Sequence, residues 1–258
     1  MLQLINVTKI FNKGTPNEKI ALNNVSLTLQ DEDFVTIIGG NGAGKSTLMN
    51  VISGKMKPDS GRILIDGKDI TNISEHKRAK FFGRVFQDPL MGTAANMLIE
   101  ENLSVASLRG KRRTLRFGIS KKERAKYKEL LKELDLGLED RLKTEVGLLS
   151  GGQRQALTLL MASMNNPKLL LLDEHTAALD PKTSAKVLAI TDKIVNETRL
   201  TTLMITHNMH DAIIHGNRLI MMNNGEIALD ISDEEKRSLT VKSLLDRFDG
   251  VASDRMLL

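Results

Sequence analysis

Residues Gly39-Gly40-Asn41-Gly42-Ala43-Gly44-Lys45-Ser46-Thr47 combine glycines, one lysine and two hydroxyls at a spacing that suits a phosphate chain. Glycines let the backbone wrap so that several N–H groups point inward, and the N-terminus of a following helix adds partial positive charge. In the pattern Gly39-x4-Gly44-Lys45-Ser46 the lysine reaches β- and γ-phosphates and the serine hydroxyl ligates Mg²⁺. Far downstream, four leucines at 169–172 run into Asp173-Glu174. A carboxylate at the carboxyl end of a buried parallel strand faces the crevice where ligands bind, so Asp173 suits the hydration shell of Mg²⁺ and Glu174 an attacking water. Between these runs, Leu149-Ser150-Gly151-Gly152-Gln153-Arg154-Gln155 places a serine cap and glycines at a second helix N-terminus. It is open to an anion, although a simply capped helix explains the same residues.

These groups need elements to hold them. Runs with strand character at 2–11, 21–29 and 34–38 lead into the glycines, and a helix over 45–53 follows, the context a P-loop requires. A turn at 57–61 precedes a strand at 62–67, so the first third reads as an antiparallel β piece attached to a nucleotide-binding core. From about 89 to 165 the pattern is helical, with a capping box Ser120-Lys121-Lys122-Glu123 opening a helix through Leu130, Leu131 and Leu134 that stops near Gly137. Apolar strands at 169–172 and 202–205 flank a helix over 181–198, which implies a parallel sheet. A hairpin at 219–222 and 226–229 turns at Asn224-Gly225, and Ser232-Asp233-Glu234-Glu235 reads as a capping box opening a last helix.

With 258 residues, 41% hydrophobic and 27% charged, the chain has the composition of an ordinary soluble protein. Aromatics are only 3%, so aliphatic residues and the twelve Met must fill the core. No run approaches the ~20 apolar residues of a membrane-spanning helix, and Met1-Leu2-Gln3-Leu4-Ile5-Asn6 lacks the form of an export leader. The absence of cysteine excludes disulfides and thiolate metal sites and agrees with a reducing compartment. The net charge of +5 is unevenly placed: ten Lys/Arg against one acidic residue, Glu123, lie in 109–128. Such a block either meets anionic headgroups, at about 1 kcal/mol per charge, or forms a solvated face. No aromatic platform accompanies it, which argues against nucleic acid. His207, His210 and His215 have no acidic or thiol ligand at matching spacing to form a metal site.

In order and spacing the three runs resemble the ATP-binding subunits of bacterial ABC (ATP-binding cassette) transporters, over nearly the whole chain. The resemblance implies an α/β fold: a P-loop (RecA-like) parallel-sheet core with an antiparallel β subdomain over 1–88 and 166–258, and an inserted α-helical subdomain over 89–165. It implies ATP binding by Gly39, Asn41, Gly42, Ala43, Gly44, Lys45, Ser46 and Thr47. Phe11 matches the aromatic that stacks on adenine, although a Phe in a strand serves equally as core. Gln87 matches the glutamine that contacts Mg²⁺ and water, joining Ser46 and Asp173 as metal contacts; His207 matches the histidine that touches the γ-phosphate, and Glu174 the catalytic carboxylate.

In this family Ser150, Gly151, Gly152 and Gln153 would cap the γ-phosphate held by a second subunit, and Asp180 lies in the loop crossing that interface. Two positions depart from the family's pattern: His175 stands where Pro or Ala is common, and Ala177 where Ser is usual. The implied machine is a head-to-tail dimer of identical copies, with two ATP and Mg²⁺ between the subunits. It would work on the inner face of the cell membrane with a separate integral permease and an extracytoplasmic solute-binding protein, its groove for the permease running along residues 87–103. The run from Asp173 to Asp180 suggests solute import, with amino acids as the cargo class. Envelope remodelling is the alternative from another class.

Overall fold

The computed structural model describes residues 1–111 and 118–254, with side chains through Arg247. The chain forms two compact units, one of Met1–Glu75 with the chain from Thr201 onward, the other His76–Leu200.

In the first unit β1 (Leu2–Phe11), β2 (Lys19–Leu29), β3 (Phe34–Gly39), α1 (Lys45–Ser53), β4 (Ser60–Ile65) and β5 (Lys68–Asp69) follow the expected alternation of strand and turn. β1 buries Leu2, Leu4 and Val7 on one face and lies between β2 and β4, antiparallel to both, in the order β2-β1-β4-β5. β3 is buried from Phe34 through Ile38, Thr36 included, as suits a central strand, and it delivers the chain directly into the glycine loop.

The second unit holds α2 (Glu75–Arg78, at the boundary), β6 (Phe82–Val85), α3 (Ile99–Ser107), α4 (Lys121–Lys132), α5 (Gly151–Ser163), β7 (Leu169–Asp173) and α6 (Pro181–Thr198). β6 and β7 are parallel, with Arg84 opposite Leu171 and Val85 opposite Leu172. α4 is capped as expected, Ser120 Oγ accepting from Glu123 N at 3.2 Å, but it stops a turn early. Leu134 and Asp135 donate to Leu131 and Lys132 three residues back, and Asp135 enters the left-handed region at φ 51. The basic stretch is partly structural. Arg109 Nη2 donates to the Ala162 carbonyl at 2.6 Å, Arg124 grips buried Glu100 at 2.7 Å, and Lys128 pairs with Asp140, while Lys121, Lys122 and Lys126 face solvent. Its residues 112–117 lie outside the described residues.

Back in the first unit come β8 (Thr202–Ile205), α7 (Met209–Ile214), β9 (Arg218–Asn223), β10 (Glu226–Ser232), α8 (Asp233–Arg237) and α9 (Val241–Asp254). β3 lies between β8 and β9, parallel to both, with β10 antiparallel on β9 across the Asn224-Gly225 turn, where both residues take positive φ. Met204, Met221 and Met222 are buried, as the scarcity of aromatics requires. The capping box expected at Ser232 does not form: α8 begins without a side-chain cap, Asp233 sits at φ 34, and Glu235 accepts from Arg247 at 2.6 Å instead. Lys236, 2% exposed, anchors α8 by donating to the carbonyls of His215 and Gly216.

Candidate functional site

The glycine loop connects β3 to α1 within the first unit. Gly39 has φ +151 and a Cβ there would lie 2.3 Å from the Met222 carbonyl oxygen; Gly44, at φ +103, would meet Ala21 O at 2.5 Å. Both positions therefore require glycine, because the neighbour in each case is backbone. α1 starts at Gly44 with no side-chain cap, which leaves first-turn N–H groups for an anion. Buried Lys45 lays its Nζ over the loop, donating to Gly39 O at 2.7 Å and Gly40 O at 3.1 Å, while Asn41, Gly42 and Ser46 are exposed. Ala43 is buried, its carbonyl accepting from Gly225 N at 3.0 Å, and Thr47 is half-buried.

Parallel pairing brings His207 to the same edge. Ile37 of β3 is opposite Ile205 of β8, so Gly39 and His207, each two residues further, leave the carboxyl end of adjacent strands. Thr206 N donates to Ile37 O at 3.1 Å to close that end, and Asn208 caps α7, its Oδ1 accepting from His210 N at 2.9 Å. Exposed His207 is thus held between a strand end and a capped helix. Half-buried Phe11 ends β1 opposite Lys19. Lys19, one lysine among many with no local signature in the sequence, has its Nζ 3.2 Å from where a Cβ on Gly42 would stand. It adds a second cation beside the loop.

In the second unit the same logic gathers the carboxylates. Val85 pairs with Leu172, so Gln87 emerges beside Asp173 and Glu174 at the carboxyl edge of β6 and β7. Leu169, Leu170, Leu171 and Leu172 are fully buried; Asp173 and Glu174 are half-buried and Gln87 is exposed. Asp173 Oδ2 accepts from Arg84 Nη2 at 3.0 Å. Glu174 takes the left-handed φ of 49, rare for a non-glycine residue, and its carbonyl accepts from Ala177 N at 3.0 Å. The next residue, His175, is 2% exposed and bonded through Nε2 to Thr191 Oγ1 of α6 at 3.1 Å. Asp180 caps α6, accepting from Thr183 N at 3.1 Å, and Thr183 holds the exposed carboxyl below its ordinary pKa.

Ser150 and Gln153 do form the reciprocal cap of α5: Ser150 Oγ accepts from Gln153 N at 3.3 Å and Gln153 Oε1 from Ser150 N at 3.2 Å. Gln153 also donates to Leu136 O, so its amide is committed to shaping the turn. Gly151 is exposed; Gly152 is buried against Thr183, whose Cγ2 would stand 2.2 Å from an added Cβ. Arg154, whose role has no local signature in the sequence, donates to the carbonyls of Val146, Gly147 and Leu149 and fixes the approach to the cap. Gln155, fully buried, donates to Phe86 O at 3.1 Å and ties α5 to the segment carrying Gln87. Within the second unit Asp173 and Gln87 offer carboxylate and amide oxygens, hard donors of the kind that suit Mg²⁺.

Residues 22–177 match the family described as ABC transporter. The chain is 48% identical over 249 residues to a "Tyrosine transport ATP-binding protein" of Clostridioides difficile (strain R20291), covering 96% of this chain and 99% of that one. It is 35% identical over 232 residues to an energy-coupling factor transporter ATP-binding protein of Clostridium perfringens, covering 89% and 79% respectively. Among solved structures, a dimeric ATP-binding cassette in a post-hydrolysis state bound to ADP and Pi matches with a TM-score of 0.76 and 31% identity, over 90% of this chain and 98% of that one.

Proposed function

The chain belongs to the ABC transporter family of ATP-binding cassettes, an ATPase, and on that premise we propose that it powers solute import through a separate membrane permease by closing on a second copy of itself around two ATP. The observation that carries the chemistry is Glu174, held in a left-handed conformation at the end of β7 next to Asp173. Lys45 and the first-turn amides of α1 hold the β- and γ-phosphates, and Phe11 stacks on adenine. Glu174 takes a proton from water as its oxygen attacks the γ-phosphorus, Gln87 orients that water, and the β–γ bridging P–O bond breaks with its electron pair leaving on ADP. His207 donates to the γ-phosphate. Ser46, Asp173 and Gln87 would hold Mg²⁺, which when bound would supply neutralisation of phosphate charge. Ser150 and the amides of Gly151 and Gly152 of the second copy complete the site, with Gln153 shaping that cap and Asp180 at the seam. Leu148, 71% exposed beside Ser150, supplies apolar contact for that closure.

Among the described residues no helix is long and apolar enough to cross a membrane; the solute pathway is assigned to a permease, which holds the chain at the inner face of the membrane. A cavity of about 440 Å³ between α3 and residues 118–124, lined by Met97, Val105, Leu108 and Ile119 with the Glu100–Arg124 pair at its wall, fits a docking helix. Exposed Leu90 and Met91 extend the apolar surface. The helical subdomain spans 89–165 in this assignment and the remainder forms the nucleotide-binding core. Amino acids are the cargo class favoured by the relative named for tyrosine transport, with a solute-binding protein as the outer partner. The names of the relatives favour transport over envelope remodelling.

Glu174→Gln keeps ATP binding, accumulates an ATP-dependent dimer by light scattering, and loses turnover by about a hundredfold or more. Retained turnover overturns the role of Glu174. Purification from native membranes in mild detergent, followed by mass spectrometry, recovers a polytopic permease and a solute-binding protein; soluble partners alone would overturn the import assignment.

A further inference from the structure

Arg84 and Asp173 form an ion pair that phosphate-loop chemistry does not require. The guanidinium comes from β6, opposite Leu171, and residues 171 and 173 of β7 share a face, so the two charged groups lie diagonally across one parallel ladder. Nη2 is 3.0 Å from Oδ2, with the side chains only 11% and 17% exposed. The guanidinium also lies over the Phe86 ring, its Cζ 4.7 Å from the centroid. Stacking and burial give the planar fork one orientation, so a fixed positive charge stands at the carboxylate.

Resting on the assignment of Asp173 to the Mg²⁺ side of the site, we propose that Arg84 closes this carboxylate to free divalent cations, so that metal reaches it only as the nucleotide complex. A bare divalent cation approaching Asp173 meets the resident guanidinium at short range in a poorly screened setting, and repulsion offsets most of the attraction of the carboxylate. The magnesium–ATP complex carries net negative charge and is not repelled. Arg84 is therefore a positioning residue: it holds the Asp173 carboxylate aligned, and it makes metal binding conditional on phosphate.

The test measures Mn²⁺ binding by electron paramagnetic resonance of the free ion, without nucleotide, on the full chain. Arg84→Met and Arg84→Gln are both expected to bind Mn²⁺ about tenfold more tightly than the parent protein, with Arg84→Lys close to the parent. The glutamine variant keeps a donor to Asp173 and guards against loss of fold in the methionine variant. In the presence of ATP, Asp173→Asn is expected to weaken Mn²⁺ binding in every background. Nucleotide-free affinity unchanged in both neutral variants, with the Asp173→Asn effect present, overturns the gating role of Arg84 alone. No effect of Asp173→Asn overturns the metal assignment beneath it.

Discussion

Replacing Thr191 with valine deletes one buried acceptor while keeping the shape of the side chain. Thr191 Oγ1 donates its single hydrogen to Val187 O at 2.9 Å, so at 3.1 Å from His175 Nε2 it can only accept, and the imidazole carries its proton on Nε2. Both residues are buried, at 2% and 0% exposure. Valine would leave the N–H facing a methyl group, a desolvation cost of about 2 kcal/mol. In a chain of this size that lowers Tm by about 4–8 °C. The consequence for function follows from the neighbour. Glu174 is held at φ 49, a conformation that costs about 1–3 kcal/mol and persists only while its surroundings enforce it. His175 is its immediate tether to α6. With the tether loosened, the Glu174 carboxylate samples other directions, and kcat falls by about tenfold with KM for ATP unchanged, because the phosphate loop is untouched. The assay pairs thermal melting with steady-state ATPase kinetics, and Thr191→Ser, which keeps the hydroxyl, should retain both values. An unchanged Tm in Thr191→Val refutes the hydrogen-bond argument. A lowered Tm with unchanged kcat refutes the claim that His175 frames Glu174.

Gly39→Ala places a Cβ 2.3 Å from the Met222 carbonyl at a φ of +151, so calorimetry should detect no ATP binding. Lys19→Ala removes the cation beside Gly42 and should raise KM for ATP by about threefold at constant kcat, as expected of a group that contributes to binding alone; an unchanged KM would return Lys19 to the surface. Asp59 accepts from Ile10 N at 2.7 Å, and chiefly this bond, helped by Lys9 and opposed by burial, holds its carboxyl below the ordinary 3.8. Since the folded value is the lower one, its stabilisation is full above the unfolded value and disappears as pH falls through the folded one. The Tm gap between the parent protein and Asp59→Asn should therefore be constant above about pH 5 and close under stronger acid, as melting curves in buffers of decreasing pH will record.

The parts of the fold that were legible are those whose signal is local. β3 and α1 were marked by an apolar run, glycines and a helix start, and α6 by Asp180 and Pro181 at its beginning. Elements with distant partners were not individually visible. β6 has only four residues and exists because β7 pairs with it, and α3 starts at Leu98 with Glu101 accepting from the Leu98 amide at 2.8 Å, without the serine or threonine that announces a cap. The Ser232 box failed for a related reason, since Arg247 draws Glu235 away from it. Local capping contributes about 1 kcal/mol, which a charged long-range partner can match.

At the candidate site the same division separates the groups that react from those that hold them. Asp173 and Glu174 are readable because the four leucines end in a chain that also carries a P-loop; alone, two carboxylates there could equally be leaving a sheet for solvent. Arg84 and His175 are not, because an arginine in a short strand and a histidine replacing the family's usual Pro or Ala have no local signature. Yet each carboxylate position has its own support: Arg84 of β6 on Asp173, and His175, bonded to α6, behind Glu174. The departure at His175 thereby acquires a physical account. A proline or alanine at this position has no side-chain donor for Thr191, so here the left-handed residue before it is restrained by a hydrogen bond. Metal access and water activation then depend on two separate contacts, so the Arg84 and Thr191 variants should be distinct in kinetics: the first moves metal affinity, the second kcat.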